Sequence, residues 1–173
     1  METTYIPEKI NNFNVYVDDD KLIGAGAELT LPEASQKTST VDAAGTGGEI
    51  DTPTIGQFES MEQEIEFNTL YSSIDEVLPA NKTVALTIRA AQQVYDKSGS
   101  YTFKGLRVVE QGIVKKVSLG DVKKGEPMAA KSTLEVLMLA VYVDDDEKLY
   151  IDKPNNIFRV NGEDQLEDVN NLI

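Results

Sequence analysis

Acidic side chains are the groups in this sequence whose type and spacing could do chemistry. Glu62, Glu64 and Glu66 alternate with apolar residues and Gln63, which is the period of a β-strand with one acidic face and one mainly apolar face. Two carboxylates can act as acid and base in glycoside hydrolysis, but they then need different environments. These three glutamates share one environment. We therefore expect a water-facing acidic wall and not a catalytic pair.

Two runs of three aspartates, at residues 18–20 and 144–146, are the next candidates, in this case for a metal ion. A calcium loop spaces its ligands at alternate positions and needs a glycine and a later glutamate, which consecutive aspartates do not supply. We expect both runs to be solvated hairpin tips. The chain also has no cysteine and no histidine, so it lacks a thiol nucleophile, the usual general base and the commonest zinc ligand. No metal, no cofactor and no enzymatic activity are predicted.

Charge and hydropathy narrow the possible partners further. Sixteen basic and thirty acidic residues give a formal charge of −14, whereas proteins that bind nucleic acid by charge neutralisation need clustered lysine and arginine. The first residues have neither the basic nor the apolar region of a secretory signal, and no apolar run reaches the length of a membrane span. We expect a soluble protein, made in the cytoplasm, that does not insert into membranes.

The elements that must position these groups are mostly strands. Residues 134–143 are apolar except for Glu135 and rich in β-branched side chains, which predicts a central strand covered on both faces. Shorter strands at 148–152 and 157–160, separated by turns, complete a β-meander. Further strands are predicted at 13–17, 27–31, 82–95 and 101–119, the last of these bent at its glycines, with a short helix at 71–78 and a helical turn or two within 163–173.

A polar segment at residues 33–56 stands apart from this pattern. Its side chains are small and polar, so it cannot supply a core of its own. Residues 35–42 favour an exposed strand and 43–49 a loop. Such an extension is either mobile in solvent or ordered by a neighbouring chain. The whole chain, residues 1–173, is predicted to be one domain: an antiparallel β-sandwich or partly closed barrel with one short α-helix and a long polar hairpin extension.

The order of these motifs is similar to that of the major tail tube proteins of contractile-tailed bacteriophages. The front of the chain agrees through Phe13-Asn14-Val15-Tyr16 and Leu29-Thr30-Leu31-Pro32, followed by the glycine-rich loop and the acidic strand. The matching residues at the carboxyl end are Leu149, Ile151, Asp152, Val160, Asn161, Gly162, Asp164 and Leu166.

The resemblance implies that the protein forms hexameric rings that stack into a hollow tube inside a contractile sheath. Strands of each protomer would join one ring-wide barrel, and the 33–56 extension would reach neighbouring subunits. The acidic row Glu62, Glu64 and Glu66 becomes a candidate lumen surface. The candidate contacts between subunits are Leu29, Leu31, Lys37, Val41, Ile50 and Ile55.

The resemblance also implies partners and a location. The partners are other copies of the chain, the tail sheath protein, the baseplate or tube initiator, the tape measure protein and the tail terminator. DNA would be transported cargo that is not bound, and in a bacteriocin the tube would conduct ions. The location is a virion tail or a bacteriocin particle assembled in the host cytoplasm.

Three alternatives stay open at this point. The first is a secretion-system tube, which its genomic neighbours would identify. The second is a monomeric β-sandwich module that binds a ligand through the 33–56 loop, and monomeric behaviour at high concentration would favour it. A hydrolase that uses acidic residues is disfavoured by the missing histidine, cysteine and nucleophile motif.

Overall fold

A computed structural model describes residues 5–23, 25–43, 45, 47–70, 75 and 77–173. This part of the chain is built mainly of antiparallel strands, as the alternating sequence predicts. The strands are β1 (Ile6–Val17), β2 (Asp20–Lys21), β3 (Gln36–Val41), β4 (Ile50–Phe58), β5 (Glu62–Phe67), β6 (Thr83–Tyr95), β7 (Tyr101–Ser118), β8 (Ala130–Val143), β9 (Asp146–Asp152), β10 (Ile157–Val160) and β11 (Glu163–Asp164), and the helix is α1 (Glu167–Asn170).

Strand β8 organises the main sheet, whose order is β11-β10-β9-β8-β7-β6-β1-β2. One edge of β8 pairs along its length with β7, while its other edge is shared. The first half of β8 pairs with β5, from Glu62 opposite Glu135 to Phe67 opposite Ala130, and the second half pairs with β9. The predicted central strand is confirmed. The sheet does not close into a barrel, since its two ends are different strands.

Successive side chains of a strand point to opposite faces of the sheet, and here buried and exposed residues alternate. The core therefore lies on one face of the sheet. The prediction that β8 is covered on both faces is met on the core side and in part on the other face, where Thr133 and Ala140 are buried. On its other face Lys131, Glu135, Met138 and Tyr142 are half-buried. The buried core cluster comprises Val15, Val17, Leu22, Met61, Ile65, Phe67, Val77, Val84, Leu86, Ile88, Val108, Ala130, Leu134, Val136, Leu139 and Ile151.

Both aspartate runs form exposed hairpin tips, as predicted. Asp18 and Asp19 have φ of 46° and 73°, and Asp144 and Asp145 have φ of 51° and 68°. Two successive left-handed residues make the tight turn that matches strand twist, and aspartate tolerates that conformation better than most residues. Among the residues that the structure describes, no group of three or more acidic side chains is placed to hold a metal ion.

The predicted strand at 27–31 is wrong. Ala25 forms a single β-bridge with Phe67, and the backbone then runs to residue 35 without strand pairing. The reason lies in the buried Gln63, whose Nε2 donates to the Thr30 carbonyl oxygen at 2.9 Å. A side chain therefore satisfies a carbonyl that would otherwise seek a strand partner.

Two further predictions concern the bend in β7 and the helices. The register of β7 against β8 shifts between Gln111 and Gly112, so the strand is irregular at that glycine, whereas Gly105 pairs with Ala91 of β6 without a shift. A Cβ at Gly112 would lie 2.7 Å from the Glu135 carbonyl oxygen, so the close approach of the strands requires glycine. Helix α1 confirms the helical turn near the carboxyl end, while the helix at 71–78 falls mainly on residues outside the described part. No helix in the described ranges is long and apolar enough to span a membrane.

One buried acid was not predicted. Glu110 on β7 is 1% exposed and lies in register between Leu86 of β6 and Leu139 of β8. Neither of its carboxylate oxygens has a hydrogen-bond partner. Burial raises the pKa of Glu110 to about 8. The alternation of Leu106, Val108 and Glu110 along β7 was the signal that could have placed this residue in the core.

Candidate assembly surfaces

Strands β3 and β4 form a hairpin, here called the arm (residues 36–58), that makes a two-stranded sheet of its own. Only its base packs on the rest of the chain. The Phe58 ring meets the Phe158 ring edge-on at 5.1 Å, and Gly56 lies against the Leu166 side chain. Every described residue from 37 to 55 is exposed. The predicted hairpin extension is thus present, and it projects from the sandwich without a core of its own.

The arm is held in shape by local hydrogen bonds. The Thr40 hydroxyl donates to the Asp51 carboxylate at 2.7 Å, and the Thr52 hydroxyl donates to the Ser39 carbonyl at 3.0 Å. At the base, the Gly56 N–H donates to the Gln36 side chain at 3.1 Å. A two-stranded hairpin without an apolar face is at best marginally stable in water. These hydrogen bonds set the strand pairing of the arm but stabilise it only weakly in the absence of other contacts.

The predicted contact residues fall on two separate surfaces. Val41, Ile50 and Ile55, the apolar arm residues, are 42%, 52% and 58% exposed, and Lys37 at the start of the arm is also exposed. Burial of such side chains favours association by roughly 25 cal/mol for each Å² removed from water. The second surface is a shallow apolar groove of about 100 Å³ on the sandwich, lined by Leu29, Leu31, Ile10, Phe13, Ile88, Ala90, Leu106 and Val108.

The acidic row on β5 faces water, as its period predicts. The side chains of Glu62, Glu64 and Glu66 are 51%, 49% and 42% exposed, while the residues between them are buried. Lysines from the neighbouring strands lie among these glutamates. Lys115 Nζ donates to Glu62, and Lys131 Nζ lies 2.8 Å from Glu64 and 3.3 Å from Glu66.

These lysines partly compensate the negative charge of the three glutamates. The pKa of Lys115 is raised by its hydrogen bond to Glu62, and the pKa of Lys131 is raised by its hydrogen bonds to Glu64 and Glu66. The sequence analysis expected repulsion among the glutamates and missed the lysines, which are more than fifty residues away along the chain. The row is an acidic surface with interleaved cations.

Glu135 extends this surface onto β8, directly opposite Glu62. Burial raises its pKa, but the Ser60 hydroxyl and the ammonium groups of Lys153 and Lys115 together outweigh that effect and hold the pKa below its usual value. Lys153 Nζ lies 2.9 Å from one Glu135 oxygen. Glu135 is therefore ionised at neutral pH and adds a fourth carboxylate to the surface.

Strand β1 leaves an open edge. One side of β1 pairs with β6 along its length, whereas β2 covers only Tyr16 and Val17 on the other side. Within the described part of the chain, no strand pairs with the outer edge of residues 6–15. Pro7 and two register shifts interrupt this edge, which are features that discourage unspecific pairing. An edge of this length is a template for a strand from another chain.

Comparisons with known proteins identify the family of this chain. The chain is 26% identical over 163 residues to the tail tube protein of Escherichia phage P2, and the match covers 94% of each chain. A solved chain from an extracellular contractile injection system, described as the PVC sheath/tube terminator in the extended state, matches with a TM-score of 0.54 at 14% identity. That match covers 79% of this chain and 97% of the other, and it concerns the fold alone. Residues 7–173 match the family model of the phage tail tube protein FII, and the chain therefore belongs to this family of phage tail tube proteins.

Proposed function

We propose that this protein is the repeating subunit of a tail tube, in which six copies form a ring and the rings stack around a lumen. As a member of the family it is a structural component of a virion tail. The role proposed here is structural and not enzymatic. The hexamer and the ring-wide barrel are parts of the proposal. The observation that carries them is the arm, an ordered hairpin that finds no core within its own chain.

Ring closure would bury the apolar surfaces and pair the strand edge that a single subunit leaves exposed. The apolar arm residues and the apolar groove are both exposed in the isolated chain, so contacts between copies would remove both from water. The open edge of β1 would gain a strand partner from the adjacent subunit, and closure in a ring leaves no free edge. The predicted contacts between subunits, Leu29, Leu31, Lys37 and the apolar arm residues, belong to this proposal.

The acidic surface on β5 is proposed to face the lumen. Four carboxylates there engage Lys115, Lys131 and Lys153 in ion pairs, and Lys116 lines the same pocket as Glu62 and Glu64, so each lysine of this surface has carboxylates as neighbours. DNA carries one phosphate charge per about 1.7 Å of axis and adheres where lysine and arginine can contact it. Screening confines repulsion to about 8 Å at physiological salt. Such a wall would prevent DNA that moves through the tube from adhering, and the wall would repel DNA only at short range.

The proposed partners follow from this position in a tail. Copies of the chain make the ring and the stack, and the sheath protein surrounds the tube. The tube initiator or baseplate meets one end and the terminator the other, with the tape measure protein inside. In a bacteriocin particle the same tube would conduct ions, and a secretion system would use it to carry a different cargo. We propose assembly in the cytoplasm of the host.

Negative-stain microscopy of the purified protein tests the proposal directly. We expect rings or tubes with sixfold symmetry, and a variant with aspartate at all three apolar arm residues is expected to remain unassembled. A protein that stays monomeric at high concentration would overturn the proposal and favour the isolated binding module.

The lumen assignment needs its own experiment. Glu62, Glu64 and Glu66 are changed together to lysine in the phage, and tubes are checked by microscopy before genome ejection is measured. We expect intact tubes with slowed or incomplete ejection. Normal ejection through intact tubes would show that this row does not line the lumen. Glu126→Lys, in an exposed loop, is the charge control.

A further inference from the structure

Two arginines lie directly opposite each other on the outer face of the sheet. Arg89 of β6 pairs in register with Arg107 of β7. Like charges at opposed positions of an antiparallel pair destabilise the sheet unless something compensates them. In a chain of charge −14, with far more carboxylates than cations, an arginine pair that is compensated only by the exposed Asp145 at Arg107 requires an explanation.

The contacts of these arginines within the chain are weak. Arg89 lies over the Tyr16 ring at 5.5 Å and Arg107 over the Tyr142 ring at 4.3 Å, which orients both guanidinium groups. Arg107 meets Asp145 at 3.4 Å, but that aspartate side chain is 94% exposed. The Arg107 Nε is buried and has no hydrogen-bond partner. Among the described residues, no carboxylate lies within ion-pair distance of Arg89.

Both arginines line an open cleft of about 750 Å³. Its lining also includes Asn12, Asn14, Tyr16, Phe103 and two carboxylates, Asp144 and Asp145. The neighbouring Lys104 is already bound to Asp144 at 2.9 Å. A guanidinium presents a planar fork of donors that matches a carboxylate with two hydrogen bonds. The cleft therefore has oriented donors, unused hydrogen-bonding capacity and space for a short acidic segment.

The chain itself carries a segment of this chemistry at the tip of the arm. Asp42, Glu49 and Asp51 lie there, all are exposed, and residues 38–56 contain no lysine or arginine. Six strand residues at about 3.3 Å each carry the tip roughly 20 Å beyond the base of the arm. The tip is thus a projecting negative charge that extends away from its own core.

We propose that the cleft at Arg89 and Arg107 receives the acidic arm tip of a second copy of this chain. This inference rests on the proposed assembly into rings and names one contact within it. The carboxylates relieve the repulsion between the two arginines, and the arginines fix where the otherwise unsupported tip lies. The contact joins an acidic and a basic surface, so it also sets the relative orientation of two copies.

Charge reversal and exchange test this contact. Arg89→Glu reverses the cleft, and Asp42→Lys with Glu49→Lys reverses the tip while keeping Asp51, which braces the arm. We expect each variant to raise the protein concentration needed for tube formation by about tenfold or more, because close charge pairs at interfaces couple strongly. Lys124→Glu, in the exposed 121–127 loop, changes the charge by the same amount as Arg89→Glu and is expected to assemble like wild type.

The outcomes separate this contact from the tube proposal. Recovery of tubes when the reversed cleft and reversed tip are combined in one chain supports the pairing. If the wild type forms tubes and each of the two reversed variants also assembles normally, the contact is overturned but the tube proposal stands. If the wild type does not assemble, the tube proposal itself is overturned. Wild-type tubes that retain double-stranded DNA, and lose it with Arg89→Glu, would show that the cleft faces phosphate and would also overturn the contact. Circular dichroism confirms that each variant is folded.

Discussion

Replacing the buried acid Glu110 with glutamine is expected to change how the stability of this protein depends on pH. Glu110 lies between Leu86 and Leu139 with both carboxylate oxygens unpaired, and burial raises its pKa from 4.5 to about 8. Below pH 4.5 the side chain is neutral in the folded and the unfolded chain, so it carries no ionisation penalty. Between the two values the unfolded chain releases the proton and the folded chain keeps it. The free energy of unfolding therefore falls as the pH rises.

The size of this effect follows from proton linkage. Each pH unit between 4.5 and about 8 lowers the free energy of unfolding by roughly 1.4 kcal/mol, and the full window amounts to about 5 kcal/mol. Above that window both states are ionised and the loss stays constant. Glu110→Gln keeps the shape and removes the charge. We expect the stability of the variant relative to wild type to rise along this window, whatever the fixed cost of a buried amide.

Urea unfolding of unassembled protein at pH 5, 6, 7 and 8, at constant ionic strength, measures the difference. Glu126→Gln, in an exposed loop, is the matched control and is expected to show a flat difference. The reasoning is refuted if the difference between Glu110→Gln and wild type is the same at pH 5 and pH 8. In that case Glu110 either reaches water or is paired in solution.

Three further predictions concern the arm and the core. Gly56→Ala is expected to destabilise the fold by about 1–3 kcal/mol, because φ is +77° and the new Cβ would lie 2.6 Å from the Leu166 side chain. Thermal unfolding measures this change, and a loss below about 0.5 kcal/mol would contradict the contact between Gly56 and Leu166. Aspartate at each apolar arm residue should alter monomer stability by less than about 0.5 kcal/mol while abolishing assembly, since these side chains are exposed in the single chain; a large loss of monomer stability would show that they pack internally. Gln63→Leu is expected to lower the free energy of unfolding by only about 1 kcal/mol, because the carbonyls of Thr30 and Glu64 lose their donor while the unpaired Gln63 Oε1 leaves the core. An unchanged free energy of unfolding in urea would refute the role given to that amide.

Local pattern alone predicted much of the fold. The alternation around Glu62, Glu64 and Glu66 placed β5 correctly, and the apolar run at 134–143 identified the central strand. The aspartate runs identified turns, because few residues other than aspartate, asparagine and glycine accept left-handed backbone. These features depend on neighbours in the sequence, so the period of the side chains carries the information.

Pattern failed where the deciding partner is remote in the chain. Residues 27–31 alternate like a strand, yet the buried Gln63 amide takes the Thr30 carbonyl that would pair it. The lysines that lie within the acidic row come from β7 and β8, so the residue spacing around the glutamates does not predict them. The opposed Arg89 and Arg107 likewise depend on the register of two strands.

The sequence by itself determined most of the strands, the aspartate turns, and that the 33–56 extension lacks a core. The tertiary structure alone decided that the extension is anchored only at its base, which charges neutralise one another, and that one acid is sealed in the core. The physical reason is the range of the forces. Backbone conformation and side-chain period act over a few residues, whereas burial and ion pairing act between strands that only folding brings together.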